Sequence, residues 1–170
     1  MSTAPYERTA VPFVADERAS LGSWLDSQRE TILWKIDGLD DEQLRRVMVP
    51  SGLTMLGLVK HLIAVEHGWF VVNFAATSET HMFESDDDPD LDFHVQPGET
   101  TEQIVEGYRS ACARSREIYA AAESLDATFT HPRRGTMGLR WLMNHMIEET
   151  ARHAGHADIM RELMDGATGY

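Results

Sequence analysis

Cysteine is almost missing from this chain. Cys112 is the only one in 170 residues, so no intrachain disulfide can form and a cysteine-rich zinc site is excluded. A reducing cytoplasm is the expected location. Long apolar runs are missing too: no window reaches the roughly 18 consecutive apolar residues of a membrane span. The opening "MSTAPYERTAVPFVADERAS" lacks the basic start and unbroken apolar stretch of a secretory signal. Positive charge is scarce, with 15 Lys and Arg against 28 Asp and Glu and a formal net charge of −13. That balance repels phosphate backbones and anionic headgroups, so neither nucleic acid nor membrane is an expected partner. Internal repeats and low-complexity tracts are absent as well.

What remains is 42% hydrophobic, enough for one ordinary globular domain with its own core. It is expected to span residues 12–166, with a short arm (1–11) and a tail (167–170). In "DERASLGSWLDSQRETILWKIDG", Leu21, Trp24, Leu25, Gln28, Ile32 and Ile36 recur three or four apart, with Asp16 as N-cap and Gly38 as the stop. After a short turn at "LDDEQLRR", Thr54 caps "MLGLVKHLIAVEHGWFVVNFAA", which is apolar nearly all round and is expected to be the most buried helix. The acidic stretch from Thr77 to Thr100 is either a solvated crossover or a functional lid. Thr101 is then expected to cap a third helix, which puts Ile104, Tyr108, Cys112, Ser115 and Tyr119 on one face. "LDATFTHPRRGTM" reads as a turn before a fourth helix from Met137 to about Asp165, ended by Gly166. With almost no convincing strand, the pattern predicts an all-α four-helix bundle with one long crossover.

The fourth helix poses a problem. At about 100° per residue, Leu142, Met146, Ala157 and Met160 share an arc of about 60°, and Glu149 and His153 fall in or beside it. A buried ionised carboxylate costs several kcal/mol unless it is paired or bound to a cation. The same projection turns His61 inward on the second helix, while His67 points to the far side. Two readings stand on spacing alone. A divalent metal could be held by His61, Glu149 and His153, with zinc, nickel and iron(II) all suited to the donors and one coordination position left open. Alternatively, Glu149 and His153 form a hydrogen bond and His61 is a separate core histidine.

The segments "SGLTMLGLVKHLIAVEHGWF" and "EETARHAGHADIMRELMDG" resemble the DinB-like superfamily of metal-binding four-helix bundles. The closer likeness is to its actinobacterial mini-circle-type branch, related to the mycothiol-dependent maleylpyruvate isomerases. The resemblance covers about Asp16 to Gly166, and its most specific parts are the His of "KHLIAVEHGWF" and the E-x-x-x-H of "EETARH". It implies His61, Glu149 and His153 as ligands, zinc before nickel or iron, and a low-molecular-weight thiol such as mycothiol. It further implies thiol S-transferase or isomerase chemistry, in which the metal lowers the thiol pKa. A non-enzymatic, stress-linked metal-binding protein that pairs as a homodimer is the alternative, and a hydrolase using metal-bound hydroxide is a third.

Other residues are weighed beside these. Arg133 and Arg134, next to His131 in "HPRRG", either form a solvated turn or bind the thiol cofactor through a carboxylate. His156 either supports Glu149 or is exposed. Glu66 and Trp69 are expected to fix the second helix against its neighbours, and Cys112 to be core packing. His81 and His94 receive no role.

Overall fold

The structure, a computed structural model, describes residues 8–169. Most of the expected arm's residues, 1–7, and the final residue of the tail lie outside the described region. The chain is mostly helical: α1 (Glu17–Ile36), a short α2 (Asp41–Arg45), α3 (Met55–Glu66), α4 (Thr101–Ala121) and α5 (Leu139–Asp165). It also carries a hairpin of β1 (Thr128–His131) and β2 (Gly135–Gly138), which corrects the expectation of a plain turn and of a last helix beginning at Met137. Met137 instead pairs with Phe129 across the hairpin. The turn chemistry explains this, since Gly135 takes a positive φ of 80° that lets the chain reverse after "HPRR".

Caps set most helix boundaries. Asp16 and Thr54 accept hydrogen bonds from Ala19 N and Gly57 N, as their positions before apolar runs suggest. At α4 the cap is Thr100, not Thr101. Thr100 bonds Gln103 N while the Gln103 side chain accepts from the Thr100 N–H, a reciprocal box that Thr101 cannot complete with Ile104 three residues on. Thr101 donates its hydroxyl to Asp41 instead, tying α4 to α2.

Helix α1 packs on α5, α3 on α4, and α3 also meets α5. Leu25 and Ile32 of α1, Leu58, Val59 and Leu62 of α3, Tyr108 of α4, and Leu142, Met146 and Ala157 of α5 are buried. Trp24, placed by its spacing on the inner face of α1, is 43% exposed. One turn after the buried Leu25, the inner position is taken by Arg29, which lies 3% exposed opposite Glu66 of α3, itself 1% exposed. Arg29 Nε and Nη2 donate to Glu66 Oε1 and Oε2 at 2.7 and 2.6 Å, a bidentate pair inside the core. Glu66 does anchor its helix, as expected.

After Glu66 the helix widens into a π-helical segment, His67–Phe74, which periodicity does not anticipate. Asn73 Nδ2 donates to Gly68 O at 2.6 Å, and Ala75 N reaches back to Phe70 O. Met55–Phe74 is long and apolar enough to cross a membrane, yet 72% of its apolar window is buried within the protein.

Removing one member of the Arg29–Glu66 pair leaves a buried charge without a partner. Arg29→Ala is expected to lower unfolding free energy by about 3–5 kcal/mol, whereas the paired change Arg29→Met with Glu66→Leu should recover most of it. Urea unfolding of the two variants checks this, and equal losses would show that the ion pair is not what holds α1 to α3.

Candidate metal centre and adjoining cleft

Glu149 and His153 project from α5 one turn apart, and His61 meets them from α3. Their candidate ligand atoms all lie within 4.8 Å of one another. Glu149 Oε1 is 3.4 Å from His61 Nε2 and 3.3 Å from His153 Nε2. Hydrogen bonding to the imidazoles of His153 and His61 holds the Glu149 carboxyl far below the usual carboxylate range. On the outer face of α5, Asn144, Glu148, Asp158 and Glu162 are exposed, as the projection requires.

The loop between α3 and α4 supplies parts that sequence reasoning did not pick out. Asp92 Oδ2 lies 2.7 Å from His61 Nδ1. With a proton on Nδ1 donated to this carboxylate, the His61 Nε2 lone pair faces Glu149. Phe93 stacks on the His61 ring at 3.9 Å between centroids and 13° between planes. The loop is pinned close to α3 at this point. A Cβ on Gly57 would stand 2.1 Å from Phe93 O, so only glycine allows the approach. Lys60, 1% exposed, donates to His94 O and Glu99 Oε2 at 2.8 and 2.9 Å. Nothing in "ESDDDPDLDFH" distinguishes Asp92 from the other acids in one dimension.

The donor set fits a divalent cation. A neutral His61 that donates to Asp92 would turn a lone pair toward a carboxylate oxygen, which is unfavourable unless positive charge lies between them. The separations of 3.3 and 3.4 Å exceed the roughly 2.7–2.9 Å of a charge-assisted hydrogen bond. They match the donor-to-donor edge of about 3.3 Å expected for a tetrahedral ion with bonds of about 2.0–2.1 Å. His153 Nδ1 is buried and has no hydrogen-bond partner among the described residues.

The remaining histidines sort clearly. His67 is buried away from this cluster, its Nε2 3.0 Å from Thr80 O, as its projection to the far side required. His156 is exposed, its ring centroid 5.5 Å from that of His153. His145, one turn before Glu149, is kept below the usual imidazole range chiefly by burial. It packs edge-on against Trp69 at 4.7 Å and stacks on Trp141 at 5.1 Å.

A cleft of about 870 Å³ opens between the π-helical end of α3, the acidic loop and the hairpin tip. Asp92, whose Oδ2 meets His61 Nδ1, is also among the residues that line it. Trp69 lines it too, although it was expected only to pack; it is partly buried against the core and carries Arg134 5.7 Å from its ring centroid. Arg133, Arg134 and His131 form the hairpin rim. Burial, then the charges of Arg134 and Arg133, push the His131 imidazole down.

Cys112 lies apart from both features. It is 3% exposed, and burial followed by the Glu66 charge pushes its thiol up to about 12. A thiol this reluctant to ionise is no nucleophile near neutral pH.

Two helices of a mostly helical protein meet in a His–Glu–His cluster that offers three possible metal-ligand atoms, with a loop carboxylate behind one imidazole. The family model for mycothiol-S-transferase matches residues 20–166, and the chain belongs to that family. The family indicates S-transferase function associated with mycothiol. No curated protein matches the chain.

The raised Cys112 pKa has a consequence for stability. The folded thiol holds its proton to about 12, while an unfolded one releases it near pH 8.5. Its contribution is therefore complete below about pH 8.5 and is lost as pH rises toward the folded value. Parent and Cys112→Ala proteins, unfolded by urea at pH 7 and at pH 10, should show the parent losing more stability than the variant. A parallel decline would place the thiol in a wetter setting than the structure gives.

Proposed function

We propose that the chain is a metal-dependent mycothiol S-transferase whose divalent ion is held by His61, Glu149 and His153. The observation that carries this is the convergence of two imidazole nitrogens and a carboxylate oxygen from two helices within 4.8 Å. Zinc suits the donors first, with nickel and iron(II) also compatible. Such an ion supplies positive charge that lowers the pKa of a thiol brought to it. The packing of α1 on α5 and of α3 on α4 supports reading the architecture as the four-helix bundle of the DinB-like superfamily.

The chain's own residues prepare the reaction. Asp92 fixes the His61 tautomer through Nδ1, and Phe93 fixes the ring plane. Lys60 holds the loop that carries both. The mycothiol sulfur, with its proton lost to solvent, bonds to the electrophilic carbon, and the leaving group departs with the electron pair. Arg133 and Arg134 at the rim are the cofactor-binding pair, placed to donate to acceptors on the thiol. The nucleophile belongs to mycothiol, so Cys112 takes no part. A reducing cytoplasm, where mycothiol is kept as the thiol, suits this chemistry, and we propose assembly as a homodimer.

Elemental analysis of protein purified without chelator, combined with thiol-transfer assays, tests this reading. His153→Ala and Glu149→Gln are expected to lose bound metal and at least about tenfold in affinity for added zinc, matching or exceeding the loss typical of outer-shell changes. His67→Gln should keep its metal. Equal metal content in all three variants would remove the site. Metal content of the parent should also fall on acidification, because protonated imidazoles cannot bind a cation.

Turnover separates cofactor thiol from protein thiol. Cys112→Ala should retain mycothiol-dependent transfer to within about threefold, while His153→Ala should lose it. The reverse result would make this a cysteine enzyme.

A further inference from the structure

A separate cavity of about 230 Å³ lies along the seam between α1 and α4. It shares no lining residue with the cleft, and none of His61, Glu149 and His153 lines it. The two helices are tied together at one end of it. Arg18 donates to Tyr119 O and Ala122 O at 2.9 and 2.6 Å, and the Tyr119 hydroxyl donates back to Arg18 O at 2.9 Å. Gly22 lets the Tyr119 ring lie close to α1, since a Cβ there would stand 3.3 Å from its Cε1 atom. Beyond that tie, the buried side chains of Leu25, Phe70 and Met143 form an apolar interior, and Asp26 and Arg116 stand partly exposed on the wall.

The polar groups of the wall decide what fits. Its charges are already matched to one another: Asp26 Oδ1 accepts from Arg29 Nη1 and from Arg116 Nε, each at 2.8 Å, and Glu66 takes the rest of the Arg29 fork. An ion entering here would lose hydration and meet no unmatched charge in return. Ser115 is different. It lines the cavity, is fully buried, and its Oγ has no hydrogen-bond partner among the described residues. A buried hydroxyl left unpaired costs stability, and a single ligand group that donates to it or accepts from it removes that cost. Size narrows the choice further, because an apolar cavity of roughly 150 Å³ is enough for benzene. Phe70 offers an aromatic contact and Met143 a sulfur–aromatic one, which favour a flat ring over an aliphatic ring of equal size. We infer that this cavity is a second ligand site, which takes a small neutral aromatic alcohol with its ring against Phe70 and Met143 and its hydroxyl on Ser115 Oγ. Because no candidate metal ligand lines the cavity, a molecule held there is not the electrophile of the transfer reaction.

Phenol is the probe, titrated into the full chain with carbon-13 labels on the methionine methyls. The Met143 signal is expected to shift and to saturate with a Kd of about 1 mM, while Met55 and Met160, which belong to the other half of the core, stay in place. Ser115→Ala keeps the space and removes the hydroxyl. It should resist urea at least as well as the parent, bind phenol about tenfold more weakly, and bind benzene as the parent does. Ser115→Leu fills the space and should bind neither. Benzoate and benzylammonium, at the concentration that saturates with phenol, should leave Met143 unshifted. His153→Ala should bind phenol as the parent does, so failure of the metal-centre reading leaves this one standing. A parent whose Met143 signal does not saturate, a Ser115→Ala protein that loses stability or keeps its phenol affinity, binding that survives Ser115→Leu, or a site that prefers either ion would each overturn the assignment.

Discussion

A carboxylate can be placed among packed helices only if positive charge comes with it, and this chain meets that demand in two different ways. Glu66 is matched by a permanently charged guanidinium, with both oxygens bonded to Arg29. That pair needs nothing further and acts as a structural tie between α1 and α3. Glu149 is matched only by imidazoles from α3 and α5, with its Oε1 3.4 and 3.3 Å from their Nε2 atoms. Its arrangement is complete only when a proton or a cation lies between the ring nitrogens. The same electrostatic requirement thus produces a fixed brace at one place and a chemically open site at another.

The connection between α3 and α4 is part of that open site. Gly57 lets the Phe93 carbonyl approach α3, and Lys60 ties down the next stretch of chain. Asp92 and Phe93 are thereby set against the edge and the face of the His61 ring. This acidic connection, open to reading as a solvated crossover or a functional lid, makes contacts of its own with α3. It covers one metal-ligand candidate and forms a cleft wall. The π-helical widening after Glu66 belongs to the same region, since it carries both Trp69 and Asn73, which line the cleft. Such widenings recur at functional sites because they shift side chains off the regular helical register.

The lone cysteine shows how burial separates function from reactivity. Cys112 lies near Glu66 in a dry and locally negative setting, so its thiol stays protonated. A family that takes its thiol from mycothiol does not require a reactive one in the chain, and the packing has made this one inert.

Helical periodicity was enough to turn Glu149, His153 and His61 inward, because a 3.6-residue repeat fixes which side chains share a face. Local hydrogen-bonding chemistry likewise marked Asp16 and Thr54 as caps, and the apolar character of α3 foretold its burial. The one-residue error at Thr100 and the missed hairpin have a common cause. Two neighbouring threonines look alike until the Gln103 side chain closes the box, and "TFTH" is too short to announce a strand until "GTMG" pairs with it. What tertiary structure alone decided is which distant residues meet. Asp92 is one of many acids in its loop, and only the close contact of that loop with Gly57 selects it. Arg29 interrupts an apolar face in a way that makes sense only once Glu66 stands opposite. Trp69 and Arg134 become walls of one cleft only after the hairpin folds over α3. Periodicity gives the direction of a side chain from its own helix, whereas its partner depends on the packing of elements far apart in sequence.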